Sequence, residues 1–386
     1  MKILHTSDWH IGKRLGTIER LPEQELVLDE IAELCEKEEI ELVLVAGDIF
    51  DTYLPGAEAE ALFFKKIKKI ANGKRAVLII SGNHDDGVRL TAGAPLAEEQ
   101  GIYIVGNDRK TLPLSKIGDI SVVASGEGFV IFQNGKGERV FVNALPYPNE
   151  ARFKEEKSEL PYTERIVEWI KRGEKGNTEN APSILMSHIF VLGGEKAEGE
   201  REIDLGGARA VPTSALPSSD YIALGHLHKR QKMGKGHCYY SGSPLQYSFD
   251  EANTEKSVKV FDLTSAGVQN LRDIPLCSGR RLARLQALTP TEGEAALLAN
   301  RDFWVELTLK LTQPLTSAEA AALAAHENLV VLVTQVKEAG EMEFVSRKGY
   351  SDEALFDEFY QSVYDTQPSA ELKEMFLSVL RETEER

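Results

Sequence analysis

The sequence predicts an α/β protein whose main sheet is covered on both faces. Three observations predict it. Short apolar runs alternate with segments of helical periodicity through the first hundred residues. Each run ends in a cluster of Gly, Asp, Asn or His. The composition, 42% hydrophobic and 27% charged, is that of an ordinary globular protein. At 386 residues the chain has room for two or three domains, and it can bury a core without disulfide staples.

The elements follow in order. Residues 2–5 read as a short strand, and 22–39 carry Leu26, Ile31, Leu34 and Cys35 at helical spacing. Residues 41–46 read as a buried strand leading into Gly47-Asp48. Residues 57–71 predict a helix with Leu62, Phe63, Ile67 and Ile70 on one face, and 76–80 another buried strand before Gly82-Asn83-His84-Asp85. From 102 to 145 β-rich pieces replace helices, at 102–105, 120–124, 129–132 and 139–145. Residues 162–172 read as a helix. Residues 184–188 and 220–224 are apolar strands that run straight into histidine, and 193–207 between them reads as a surface loop rich in Gly and charge. Segments 238–248 and 257–263 read as closing strands. The register changes near 280, where strand 282–287, helix 292–299, strand 303–311, helix 317–326 and strand 328–337 predict a small α+β unit. Residues 351–386 read as two amphipathic helices broken at Thr366-Gln367-Pro368.

Composition restricts function. Cys35, Cys238 and Cys277 lie too far apart for a zinc ribbon or a C-x-x-C motif, and so sparse a count fits a reducing compartment. No apolar run approaches the ~18 residues of a membrane span, and the N-terminus is too short and polar for a signal peptide. A complete, cytoplasmic chain is expected. The net charge of −16 makes it a poor stand-alone binder of nucleic acid, which would require a local basic patch, bound metals or a basic partner. The last 36 residues hold ten acidic and three basic side chains, with Leu355, Phe356, Phe359, Tyr360, Val363, Met375, Phe376 and Leu380 among them. An acidic helical pair this apolar is expected to dock on a partner.

The chemistry is carried by histidines. Five of the eight fall in an ordered pattern: Asp8-x-His10, Gly47-Asp48-x-x-Asp51, Gly82-Asn83-His84-Asp85, Ser187-His188 and Gly225-His226-Leu227-His228. Each piece follows an apolar strand, and in α/β sheets ligands gather beyond the carboxyl ends of strands. One piece alone is commonplace; all five in order are not. Imidazole with carboxylate and no thiolate suits manganese, iron or zinc. Asp8, His10, Asp48, Asn83, His188, His226 and His228 exceed the needs of one ion, which predicts two ions bridged by Asp48, activating a bridging hydroxide for phosphoester hydrolysis. His84 adjoins Asn83, so it is expected to act as a free imidazole on the transferring charge or the leaving oxygen. Asp51 and Asp85 are candidates to orient it or a ligand histidine; turn chemistry explains either equally well. His5 reads as a packed core residue.

At these residues the sequence resembles the calcineurin-like metallophosphoesterases. The opening Met1-Lys2-Ile3-Leu4-His5-Thr6-Ser7-Asp8-Trp9-His10-Ile11-Gly12, the run Val45–Thr52, the run Asp220–His228 and Tyr240-Ser241-Gly242-Ser243-Pro244 are similar to the bacterial SbcD branch. The resemblance implies a two-sheet β-sandwich flanked by helices (1–275), a small α+β capping domain (281–345) and a C-terminal helical pair (351–386). It implies manganese-dependent DNA cleavage, 3′-5′ exonucleolytic on duplex ends and endonucleolytic on single strands and hairpins, in double-strand-break and hairpin processing. It implies a homodimer in a two-plus-two complex with an SbcC-type coiled-coil ATPase docked on 351–386, in the nucleoid-associated cytoplasm. By position Asp8, His10, Asp48 and His228 match the ligands of one ion, and Asp48, Asn83, His188 and His226 those of the other. His84 matches the catalytic histidine. Where archaeal and eukaryotic relatives carry a second histidine this chain has Asp51, so an Asp51–His84 relay is expected. Lys13, Arg14, Arg89, Lys229 and Arg230 follow the motifs and are candidate phosphate contacts. The alternative is a small-molecule phosphoesterase of the same superfamily, which would have no need of the cap and the acidic tail.

Overall fold

The computed structural model describes residues 1–106, 110–148, 160–196, 210–336, 355–357, 359–361 and 366–384. Strands β1 (Lys2–Thr6), β2 (Leu42–Val45), β3 (Ala76–Ile80) and β4 (Ile102–Val105) run parallel. Parallel neighbours need crossover connections. These are α1 (Leu21–Lys37), α2 (Ala57–Ala71) and the short pair α3 (Gly87–Thr91) and α4 (Ala94–Glu98). A second sheet contains β5 (Ser115–Ile117), β6 (Ile120–Gly126), β7 (Phe129–Gln133) and β8 (Arg139–Leu145). It continues through α5 (Tyr162–Glu174) to β9 (Ser183–His188), β10 (Tyr221–Gly225), β11 (Gln231–Lys232) and β12 (Cys238–Tyr240). The chain then returns to the first sheet as the hairpin β13 (Ser257–Thr264) and β14 (Gly267–Pro275). The strand orders are β14-β13-β1-β2-β3-β4 and β11-β12-β10-β9-β8-β7-β6-β5.

The two sheets face each other across Ile3, Leu44, Leu78, Phe132, Val142, Met186, Tyr221 and Phe261. On the outer face of the first sheet, α1 and α2 bury Ile31, Phe63 and Ile67 against Val43 and Val77. On that of the second, α5 buries Ile166 and Trp169 against Leu185 and Leu224. Central strands are therefore apolar on both faces, which is why β2 and β3 read as unbroken apolar runs. β14 is different. It is a largely exposed edge strand held by antiparallel pairing to β13, so it has no apolar signature to read.

The small unit after 280 comprises β15 (Arg281–Ala287), α6 (Pro290–Ala299), β16 (Phe303–Leu311), α7 (Ser317–Ala324) and β17 (Leu329–Val336). Its three strands are parallel, and Leu297 and Leu323 of the helices pack on Ala287, Val305, Leu307 and Leu309. α7 opens with a Thr316–Glu319 capping box. Residues 1–336 form one compact unit and 337–386 another. Within the second, 355–357 and 359–361 are helical, as is α8 (Ala370–Glu384); Phe356 stacks on Phe376 at 4.1 Å and Lys373 pairs with Asp357 at 2.6 Å. Among the described residues no helix is long and apolar enough to cross a membrane.

One boundary differs from expectation. Strand structure in 238–248 ends at Tyr240, because Gly242 and Pro244 break the run before a 3-10 turn at Phe249–Glu251. Most of the expected 193–207 loop lies outside the described residues, as does much of 351–365.

Candidate metal centre

The ends of β1, β2, β3, β9 and β10 converge where the two sheets meet. Backbone bonds tie the loops together: Asp8 N–H donates to Gly47 O and His10 N–H to Asp48 O, each at 3.0 Å. Close approach demands small residues here. A Cβ on Gly225 would fall 1.9 Å from Ala46 O, and one on Gly82 would fall 2.1 Å from Asp48 Oδ1. The chain also accepts strain. Among the described residues eight non-glycines have positive φ, and four of them are Asp8 (54°), His10 (45°), Asp48 (52°) and His226 (111°). Such conformations cost of order 1–3 kcal/mol each and collect where side chains must be aimed.

What is aimed is a buried donor cluster. Donor atoms of Asp8, His10 and His228 lie within 4.8 Å of one another, as do those of Asp8, Asp48 and His188, and those of His10, Asp48 and His84. Asp48 Oδ2 stands 3.6 Å from His10 Nε2 and 3.3 Å from His188 Nε2, between the two halves. Asn83 Oδ1 lies 2.9 Å from both His188 Nε2 and His226 Nδ1. Backbone amides fix the carboxylates, His226 N–H on Asp8 Oδ1 at 3.0 Å and His84 N–H on Asp48 Oδ1 at 2.8 Å. Ser7 Oγ donates to Asp8 Oδ2 at 2.5 Å.

These residues fit a cation. His188 Nδ1 lies 2.8 Å from Ala46 O, to which it donates, so Nε2 faces Asn83 Oδ1 and Asp48 Oδ2, and a cation there would replace the Nε2 proton and take its lone pair. His10 Nε2 and His228 Nε2 face each other at 3.0 Å. Lone pairs converge on the same buried space, and a positive ion reconciles them. The charges push the same way. Burial raises Asp8 to about 6 despite nearby imidazoles. Burial would raise Asp48 too, but His188, His84 and His10 hold it well below the carboxylate range. Burial opposes charge on His188, yet Asp48 lifts it to about 9.

His84 Nδ1 lies 2.6 Å from the main-chain carbonyl of Asp51. The Asp51 carboxylate instead stands 3.6 Å from His10 Nδ1 and accepts from Lys13 Nζ at 2.9 Å. Asp51 thus reaches His84 through its backbone and His10 through its side chain. Asp85 accepts from the amides of Ile49, Phe50 and Gly82, and so clamps the second and third motifs together. Sequence reasoning missed Tyr247, whose ring edges His10 and His228, and Gln24, which donates to His10 O at 2.9 Å. It also missed Glu251 behind His228, although Ser248-x-x-Glu251 is a legible capping box.

The basic candidates are engaged on the chain itself. Arg14 pairs with Glu19, Arg89 with Glu60, Lys229 with Glu195, and Arg230 with Glu255 and Asp273. Such surface pairs are worth ~0–1 kcal/mol and yield readily to a phosphate.

The calcineurin-like phosphoesterase family matches residues 1–230, more than half the chain. The chain is 34% identical over 403 residues to the D component of the SbcCD nuclease of Bacillus subtilis, covering 100% of this chain and 99% of that one. It is 28% identical over 372 residues to the same component of the Staphylococcus epidermidis SbcCD nuclease, covering 95% and 94%. With the donor cluster at its strand ends, the chain belongs to the calcineurin-like phosphoesterases, in the branch of the SbcD nucleases.

Proposed function

We propose that this chain is the nuclease component of an SbcCD-type complex, hydrolysing DNA phosphodiesters at a two-ion centre. The observation that carries the reading is the donor cluster, in which Asp48 lies between the Asp8–His10–His228 half and the half formed by Asn83, His188 and His226. Bound there, two divalent ions supply Lewis-acid neutralisation of the phosphoryl group and lower the pKa of the attacking water. The chain's own residues do the rest. Asp48 serves both halves. The Asp51 carbonyl holds the His84 Nδ1 proton, which leaves Nε2 for the leaving oxygen. Lys13, beside Asp51, is the best placed of the basic candidates to meet a phosphate.

Manganese suits this set of imidazole, carboxylate and amide donors, and it is the ion the family resemblance favours. The same resemblance supports 3′-5′ exonuclease and single-strand or hairpin endonuclease activity, action in the nucleoid, and docking of an SbcC-type ATPase on 351–386. It also supports a homodimer. The apolar groove between α2 and α4, where Phe64 and Leu96 stand exposed beside Phe63, Ile67 and Ile104, supports that reading.

The test is incubation of the purified chain with end-labelled hairpin and linear duplex DNA in manganese, magnesium or EDTA. Cleavage is expected in manganese, abolished by EDTA and by Asp48→Asn. His84→Ala should lose ~10²–10⁴-fold in rate while keeping its metal. Turnover of small phosphoesters with DNA untouched, even with the ATPase added, would overturn the nuclease reading. Loss of metal together with activity in His84→Ala would overturn the role of His84.

A further inference from the structure

We propose that Glu251 is a positioning residue for His228, aiming the imidazole into the centre from behind, and that Lys256 fixes Glu251 in that place. The inference rests on the two-ion reading above and adds to it a residue from outside the five motifs.

Glu251 is fully buried, well beyond the last metal motif in the chain. Its Oε1 stands 3.5 Å from His228 Nδ1, while His228 Nε2 points the other way, to within 3.0 Å of His10 Nε2. Carboxylate, imidazole and ion site therefore lie in sequence, the arrangement by which proteins orient a metal-binding histidine. Glu251 is itself over-determined. Oε1 accepts from Tyr247 N and Ser248 N at 3.2 Å and from Ser248 Oγ at 3.0 Å, and Oε2 pairs with Lys256 Nζ. Lys256 then closes the circuit, donating to His228 O at 2.9 Å and Ser243 Oγ at 2.8 Å. One buried ion pair thus stands against the His228 ring on one side and bonds its main chain on the other.

The competing role for a buried Glu–Lys pair is to hold the 246–256 turn and nothing more. The two roles differ in one respect. A turn support lowers stability when lost and leaves ion affinity at each site unchanged. A positioning residue weakens one of the two ion sites, the one that contains His228.

The experiment is Mn²⁺ titration of the full chain, followed by the electron paramagnetic resonance of free Mn²⁺, for wild type, Glu251→Gln, His228→Ala and the variant carrying both changes. Wild type should fill two sites. Glu251→Gln should weaken one of them ~10–100-fold and spare the other. In the His228→Ala background, the Glu251→Gln change should produce no further loss, because the two residues act as one unit. The double change Glu251→Gln with Lys256→Met leaves no unpaired buried charge and provides a folded protein if the single variant misfolds. It should show the same selective loss. Unaltered affinity at both sites, or equal loss at both, would overturn the proposal. Fewer than two sites in wild type would instead overturn the two-ion reading beneath it.

Discussion

A single residue shows how burial sets a pH limit on this fold. His5 lies between the sheets, fully buried, with Nδ1 3.1 Å from the Tyr221 hydroxyl and Nε2 3.2 Å from Leu224 O. Desolvation, aided by the nearby charge of Lys259, pushes it down to about 3. The folded chain therefore keeps His5 neutral at pH values where the unfolded chain, with an ordinary imidazole near 6.5, has taken up a proton. A group whose folded pKa is depressed lends stability above its unfolded pKa, and that stability drains away as pH falls from about 6.5 toward about 3. At pH 5 the loss from this residue is about 2 kcal/mol. The stability difference between wild type and His5→Gln, measured by urea unfolding, should shrink by that amount between pH 7 and pH 5. A difference that stays constant would show that His5 takes up protons alike in both states. The sequence placed His5 in a strand and in the core; its partners, 216 and 219 residues away, had no trace in it.

At the scale of elements, what was legible is what is periodic or terminal. Strands β1, β2, β3, β9 and β10 are buried on both faces and end in chemistry, so both run and motif could be read. The partner sheets of those strands could not, because apolar runs do not say which neighbour they face. Nor could β14, which is largely exposed, or the 249–251 turn, whose Glu251 gains meaning only when folded behind His228. Asp51 shows the limit within a motif: the motif left it to orient His84 or a ligand histidine, and in the fold its carbonyl meets His84 while its carboxylate stands by His10, a division the motif carries no word of. The strand ends can be tested directly. Gly225 brings the end of β10 against the main chain just past β2, and an added Cβ would also meet His188 Nδ1 at 2.8 Å. Gly225→Ala must push those ends apart. It should cost about 1–3 kcal/mol, as overpacking does, and lose metal from the His188 half first. Calorimetry with metal analysis would read both, and a variant with wild-type melting and full metal would show that the strand ends have slack.

For the molecule as a whole, the decisive division is between the body with its cap and the tail. Body and cap share a buried seam. Arg20 bonds Glu23 and the carbonyls of Gln246 and Arg280; Glu23 in turn takes the Trp304 indole at 2.9 Å and Arg280 N at 2.7 Å. Beneath it Leu15, Phe249 and Leu282 close an apolar cluster, and Leu282 N donates to Gln246 Oε1 at 2.7 Å. Every one of these residues lies within 1–336, the unit that also holds the whole donor cluster. The tail has a different character: seven of the chain's sixteen net negative charges, with Phe359 and Met375 exposed on its helices. Exposed apolar side chains on an acidic helical pair complement a basic, apolar surface, while DNA phosphates would be repelled by it. Cleavage and partner binding should therefore separate. Deleting 351–386 should leave manganese-dependent cleavage of single-stranded DNA close to the wild-type rate, and should abolish co-elution with an SbcC-type ATPase in size-exclusion chromatography. Co-elution that survives the deletion would place the docking surface on the body or cap. Loss of cleavage by the shortened chain without its partner would mean that the tail serves the catalytic unit itself.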